Sequence, residues 1–112
     1  MNWKTKKVDS SLVIVVEGEI MGGNEANDFK DVLFKAIEED VINIVVDLTS
    51  ATWMNSSGLG MLISGLTTVR SSGGDMRLAN ISERVRRPLE ITKLDSVFSI
   101  YNSVEEAIKS FH

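Results

Sequence analysis

The chain has 112 residues, a formal net charge of −4, no cysteine and a single histidine, the final residue His112. The length predicts one domain over residues 1–112, and the lack of cysteine excludes disulfides, a thiol nucleophile and cysteine-ligated metals. One terminal histidine disfavours a histidine-based catalytic or zinc site, and the acidic balance argues against direct nucleic-acid binding. We therefore expect neither a metal nor a cofactor.

The first part of the chain predicts two strands and a helix. Residues 3–8 are predicted to form a lysine-rich edge strand, and the β-branched residues 12–17 a central strand. Only a short turn separates them, so they should pair antiparallel. A loop is expected over residues 18–23. Asn24 is a candidate N-cap for a helix that ends near Asp40.

The middle of the chain predicts a buried strand followed by a second helix. The apolar run of residues 42–48 does not alternate, which is typical of a strand covered on both faces. A polar turn is expected after Leu48, and an amphipathic helix after Asn55. Residues 71–74 (SSGG) should end that helix, and residues 76–79 should form a short strand.

The last part predicts a third helix, a strand and a fourth helix. Ser82 should cap the third helix, which we expect to kink or restart at Pro88. Residues 97–101 are predicted to form the last strand, and Ser103 with Glu106 fits a capping box. The order β-β-α-β-α-β-α-β-α predicts an α/β fold with a mixed sheet of four to five strands and helices mainly on one face.

No apolar run near the N-terminus is long enough to cross a bilayer, which needs about 20 residues. The basic N-terminal residues are not followed by an apolar signal core. We expect a cytoplasmic protein without membrane contact.

The most informative segment is residues 44–60, in which Asn55, Ser56, Ser57 and Gly58 open a helix directly after the buried strand. A helix N-terminus presents unpaired N–H groups and a partial positive charge. A serine there suits four roles: a helix cap, a nucleophile, an anion site or a site of phosphorylation.

Two of these roles, the nucleophile and the anion site of a nucleotide loop, lack the other residues that they usually require. A serine nucleophile needs a nearby base, and the chain has neither an internal histidine nor a Gly-x-Ser-x-Gly motif. A nucleotide loop needs a full Gly-x-Gly-x-x-Gly or Gly-Lys-Ser/Thr sequence, which is absent, so only weak nucleotide binding stays open. A plain capped helix also stays open, with Asn55 as N-cap and with Gly58 and Gly60 allowing close approach to a strand.

Two neighbouring features have both a structural and a functional interpretation. Trp53 is predicted to be a core residue, with a partner-contact role as the alternative. Arg84, Arg86 and Arg87 are expected to form a solvated face, with contact to an acidic partner as the alternative.

Residues 45–48 (VVDL) and 55–60 (NSSGLG) resemble the STAS domain, and more narrowly the bacterial anti-sigma factor antagonists. Residues 17–20 (EGEI), 78–80 (LAN) and 85–92 (VRRPLEIT) extend the resemblance over essentially the whole chain.

This resemblance implies a single STAS-like domain that regulates a sigma factor pathway by protein–protein interaction and is not an enzyme. In such families a partner that is both serine kinase and anti-sigma factor phosphorylates the serine that directly follows the usual aspartate of the motif. The unphosphorylated form binds that partner and releases the sigma factor, and a phosphatase resets the switch. By position the phosphoacceptor is Ser56. The implied partner-binding residues are Asn55, Ser57, Gly58, Gly60, Glu19, Met21 and Trp53.

Two positions depart from the family pattern. The usual acid before the phosphoacceptor is Asn55, and the usual acid after the Gly-x-Leu/Ile segment is Met21. These departures favour an alternative, a STAS interaction module that is not phosphorylated and acts as a scaffold or accessory subunit of a signalling or transport complex.

Overall fold

The computed structural model describes all 112 residues, which form five strands and four helices. Along the chain they are β1 (Asn2–Val8), β2 (Ser11–Ile20), α1 (Glu25–Glu38), β3 (Asn43–Met54), α2 (Ser56–Ser71), β4 (Asp75–Ala79), α3 (Glu83–Ile91), β5 (Ile100–Tyr101) and α4 (Val104–Lys109). The element order is the predicted one.

The five strands form one sheet in the order β1-β2-β3-β4-β5. The tight turn between β1 and β2 makes that pair antiparallel, and the other three pairs, each joined through a helix, are parallel. This confirms the mixed sheet and the α/β class.

The two faces of the sheet are covered unequally. Helices α1, α2 and α3 pack on one face around a core of 22 buried residues, to which β2 contributes Leu12, Ile14 and Val16. The intervening Val13 faces the other way and packs with Ala107 and Ile108 of α4. Because both faces are covered, β2 and β3 are apolar without alternation. The prediction that most helices lie on one face is confirmed.

Strands β2 and β3 are longer than the sequence predicts. Residues 18–20 of the loop expected over residues 18–23 still belong to β2, and the expected polar turn after Leu48 is still β3. Beyond the register pair Glu17–Ser50 the two strands pair only with each other, because β1 begins opposite Glu17 and β4 ends opposite Asp47. We call residues 18–20 and 51–54 the two-stranded extension.

Several local expectations need correction. Asn24 precedes α1 but makes no side-chain cap hydrogen bond. Helix α3 does not restart at Pro88, because Val85 and Leu89 anchor its inner side to the core on both sides of the proline. The last strand is only two residues long, Ile100–Tyr101.

The caps predicted at Asn55, Ser82 and Ser103 are all formed.

None of the four helices combines the length and the apolar character that a bilayer-crossing helix requires.

Candidate functional site

The two-stranded extension ends at the start of α2, and a backbone hydrogen bond joins the start of this helix to the end of β2. The Asn55 N–H donates to the Ile20 carbonyl over 3.1 Å. Buried Ile20 and Met54 anchor the ends of the two strands in the core. The beginning of α2 is therefore held in place by the carboxyl ends of two parallel strands.

Asn55 is the N-cap of α2, as predicted. Its backbone is extended, with φ −99° and ψ −179°, and its Oδ1 accepts a hydrogen bond from the Gly58 N–H over 2.8 Å. Its carbonyl accepts the first helical hydrogen bond, from the Leu59 N–H at 2.9 Å. Because Asn55 caps the helix, neither following serine is needed for that task.

Ser56 and Ser57 are the first two residues of α2, and both are exposed. Amides at these two positions have no partner within a helix. The first turn of α2 contains no acidic side chain, so the positive end of the helix dipole is not compensated there. The exposed hydroxyls thus lie at a position that favours negative charge.

Gly58 allows the close approach that the sequence predicts, and Gly60 does not contribute to it. A Cβ on Gly58 would lie 2.0 Å from the Ile20 carbonyl oxygen, so only glycine fits against the end of β2. A Cβ on Gly60 would meet nothing within 4 Å, and this residue is exposed. The predicted helix-to-strand contact at Gly60 is therefore wrong, because Gly60 lies on the solvent side of α2.

The loop after β2 packs against residues 55–58, which we call the serine turn. Gly22 has a positive φ of +74°, and a Cβ there would lie 2.7 Å from the Ser57 carbonyl oxygen. The sequence predicts only a loop at Gly22, since its close contact is with a residue 35 positions away. A Gly-Gly pair after a strand is the one local signal that such a constraint exists.

Three of the predicted partner-binding residues surround this turn with exposed side chains. Met21 follows β2 and is 47% exposed, and Trp53 is 43% exposed. Glu19 is exposed and lies opposite Trp53 in the β2–β3 register. The prediction that Trp53 is a core residue is wrong, because this part of β3 has no β4 beside it.

One polar cluster near the site was not predicted. Asp47 Oδ1 accepts hydrogen bonds from the Thr49 N–H at 3.1 Å, the Thr49 hydroxyl at 2.6 Å and the Asn80 side-chain amide at 3.1 Å. Asn80 has a positive φ of 58°. These hydrogen bonds join β3 to Asn80, the residue that follows β4, a few residues before the two-stranded extension begins on β3. An aspartate two residues before a threonine is a local signal of a side-chain hydrogen bond to the backbone, here within β3.

The site shows no arrangement typical of a metal centre. No group of three His, Cys, Asp or Glu side chains in the structure is placed to hold a metal ion. The pKa of the Glu39 carboxyl lies below its ordinary value because of its hydrogen bond and ion pair with Lys7. That pair lies at the opposite end of β2 and β3 from Ser56.

A family model for the STAS domain matches residues 2–107. A protein of Thermotoga neapolitana that is assigned as an anti-sigma factor antagonist is 30% identical over 104 residues, which are 92% of each chain. The anti-sigma-B factor antagonist of Bacillus subtilis is 26% identical over 109 residues, 97% of this chain and 98% of its own.

Two solved structures extend the comparison. The crystal structure of the corresponding Thermotoga maritima protein superposes with a TM-score of 0.85 and 28% identity, over 96% of this chain and 92% of its own. The Bacillus cell fate determinant SpoIIAA in its phosphorylated form gives a TM-score of 0.75 over 99% and 100% of the two chains. At 20% identity, that second likeness concerns the fold alone.

Proposed function

The chain belongs to the STAS domain family, and from this we propose that it is an anti-sigma factor antagonist switched by reversible phosphorylation of Ser56. Unphosphorylated, it binds an anti-sigma factor that is also a serine kinase and so releases the sigma factor. A phosphatase acting on phosphorylated Ser56 resets the switch. The domain acts in the cytoplasm, as a regulator and not as an enzyme. The names of full-length relatives support this proposal.

The observation that carries the proposal is the position of Ser56, while the family motif selects it over Ser57, which is also exposed. Ser56 is an exposed hydroxyl on the first residue of a 16-residue helix that is already capped by Asn55. A kinase therefore reaches the hydroxyl without breaking a structural hydrogen bond. The change of the usual acid to asparagine at position 55 keeps the cap and removes only a charge.

The same position explains how a phosphate works as a switch. A phosphoryl group adds about −1.5 to −2 charges, which the uncompensated helix N-terminus accepts. The fold is therefore unaffected. A partner that covers this surface must instead accommodate the added bulk and charge, and a loss of about 3 kcal/mol weakens binding roughly 150-fold.

The surrounding residues form the contact surface in this proposal. Asn55, Ser57 and Gly58 shape the turn, and the open side of Gly60 lets a partner backbone come close to α2. Glu19, Met21 and Trp53 form the exposed rim. Weak nucleotide binding at the helix start would be incidental to this role.

Intact-mass analysis tests the switch. The purified domain is incubated with ATP and the serine kinase anti-sigma factor of the same organism. We expect one added phosphate on the wild type and on Ser57→Ala, and none on Ser56→Ala. A wild type that binds the kinase but gains no phosphate would favour the second candidate, the STAS module that is not phosphorylated. Exposed, apolar Met21 in place of an acid favours that candidate.

A further inference from the structure

A groove lies between Trp53 on the two-stranded extension and helix α3. Six residues line it: Trp53, Glu83, Arg84, Arg87, Pro88 and Ile91. Positions 84, 87, 88 and 91 are spaced by three and four residues, so they share one side of α3. Val85 and Leu89 lie on the inner side and are fully buried. The groove wall is therefore the side of α3 that the core does not use.

The groove is basic, and its cations have no partner within the molecule. The ion pairs of this structure use the N-terminus, Lys4, Lys7, Arg70 and Arg77 as cations, so Arg84 and Arg87 are in none of them. Glu83 is the only acid among the six lining residues. Two guanidinium groups with free donors are well suited to bind carboxylates.

The groove is also apolar at both sides. Ile91 is 73% exposed, more than any other large apolar side chain of the chain, and it lies across from the half-exposed indole of Trp53. Exposed aromatic and aliphatic groups flanked by arginine are typical of the energetically important centre of protein interfaces. Phe34, which is 47% exposed on α1, is not among the residues that line this groove.

We propose that this groove docks an acidic segment of the anti-sigma factor, with an apolar side chain inserted between Trp53 and Ile91. The inference rests on the proposed function, and it adds a second contact region to it. Trp53 lies on the strand that leads into Ser56, three residues before it, so in this proposal one partner covers both the groove and the serine turn. The serine turn carries the phosphorylation switch, while the groove supplies charge recognition that phosphorylation does not alter.

Calorimetric titration against the purified serine kinase anti-sigma factor of the same organism tests the groove. We expect Ile91→Ser and the double variant Arg84→Glu/Arg87→Glu each to weaken binding about tenfold or more. Two controls lie elsewhere on the surface: Phe34→Ser changes another exposed apolar residue, 47% exposed against 73% for Ile91, and Lys4→Glu/Lys6→Glu reverses the same number of charges. Both should stay within about twofold of the wild type. All six substituted positions are exposed, and circular dichroism checks that every variant is folded.

The outcomes separate the two proposals. Wild-type affinity in both groove variants, together with weaker binding by Ser56→Asp, would overturn the groove and leave the switch. A wild type that does not bind the anti-sigma factor at all would overturn both. A salt dependence of binding that is equal in wild type and Arg84→Glu/Arg87→Glu would contradict an acidic occupant.

Discussion

Single residues in the segment 55–60 have separate tasks. Asn55 caps α2 and Gly58 makes room for the Ile20 carbonyl, which leaves Ser56 exposed and unengaged at the helix start. Because the structural contacts are made by these neighbours, we expect that Ser56 can change its charge without loss of stability. This separation can be measured by substituting the neighbours one at a time.

The cap at Asn55 predicts a stability difference between two asparagines. Asn55→Ala should lower the free energy of unfolding by about 1 kcal/mol, because the hydrogen bond to the Gly58 N–H is lost. Asn24 also precedes a helix but makes no such bond, so Asn24→Ala should change stability by less than about 0.5 kcal/mol. Urea unfolding measures both. Equal losses in the two variants would show that the Asn55 cap has no special role.

Gly58 and Gly60 should respond in opposite directions to alanine. Gly58→Ala should destabilise the domain by about 2 kcal/mol or more, because the new Cβ would overlap the Ile20 backbone. Gly60→Ala should stabilise it by about 0.5–1 kcal/mol, since its Cβ enters open space and alanine favours the helix. Thermal and urea unfolding of the two variants measure the contrast. A Gly58→Ala domain as stable as the wild type would contradict the close approach.

At the scale of elements, the two-stranded extension is the feature that sequence reasoning missed. Residues 49–54 (TSATWM) contain polar residues and no clear alternation, which locally favours a turn. They are held as a strand by pairing with Glu17 to Ile20, more than 30 residues earlier in the chain. Such long-range pairing is not visible in a local pattern. Trp53 is exposed because it lies on this extension, where β4 is no longer beside β3.

The end of α1 is joined to the edge strand β1 by a charged pair whose strength should depend on pH. Lys7 Nζ donates to Glu39 Oε2 over 2.8 Å, and this contact holds the pKa of Glu39 below its ordinary value of 4.5. A carboxyl with a lowered folded-state pKa stabilises the fold above its unfolded pKa, and this contribution is lost as the pH falls through the folded pKa.

We therefore expect Glu39→Gln to be less stable than the wild type at pH 7, with the difference disappearing as the pH falls below about 4.5 toward the folded pKa. The neighbouring Glu38→Gln, whose carboxylate forms no ion pair, serves as the control and should show no such pH-dependent difference. Urea unfolding at a series of pH values measures both. A Glu39→Gln difference that grows on acidification would have the wrong sign for this pair.

At the scale of the whole molecule, the element order, the mixed sheet and the helix-rich face could be predicted because they depend on local periodicity and short connections. The arrangement of the site could be predicted only in part. The Asn55 cap and the Gly58 contact follow from the spacing of the motif, whereas the packing of Gly22 on Ser57 and the groove beside α3 arise from contacts between distant segments. The motif also does not predict that Gly60 lies on the solvent-facing side of α2.

The whole domain should tolerate charge at Ser56. Ser56→Asp adds a negative charge to a helix start without acidic neighbours, so its free energy of unfolding should equal that of the wild type or exceed it by up to about 1 kcal/mol. Urea unfolding of Ser56→Asp beside Ser56→Ala measures this. A loss of stability in Ser56→Asp alone would mean that the charge acts on the fold itself.

The affinity of the domain for the serine kinase anti-sigma factor shows whether charge at Ser56 controls binding. Calorimetric titration should give a similar Kd for the wild type and Ser56→Ala, and binding weaker by about 10-fold to 100-fold for Ser56→Asp, because the partner must bury the added charge. Ser57→Asp, one residue further along α2, is the positional control and should weaken binding less. Equal affinity of the wild type and Ser56→Asp would contradict the switch.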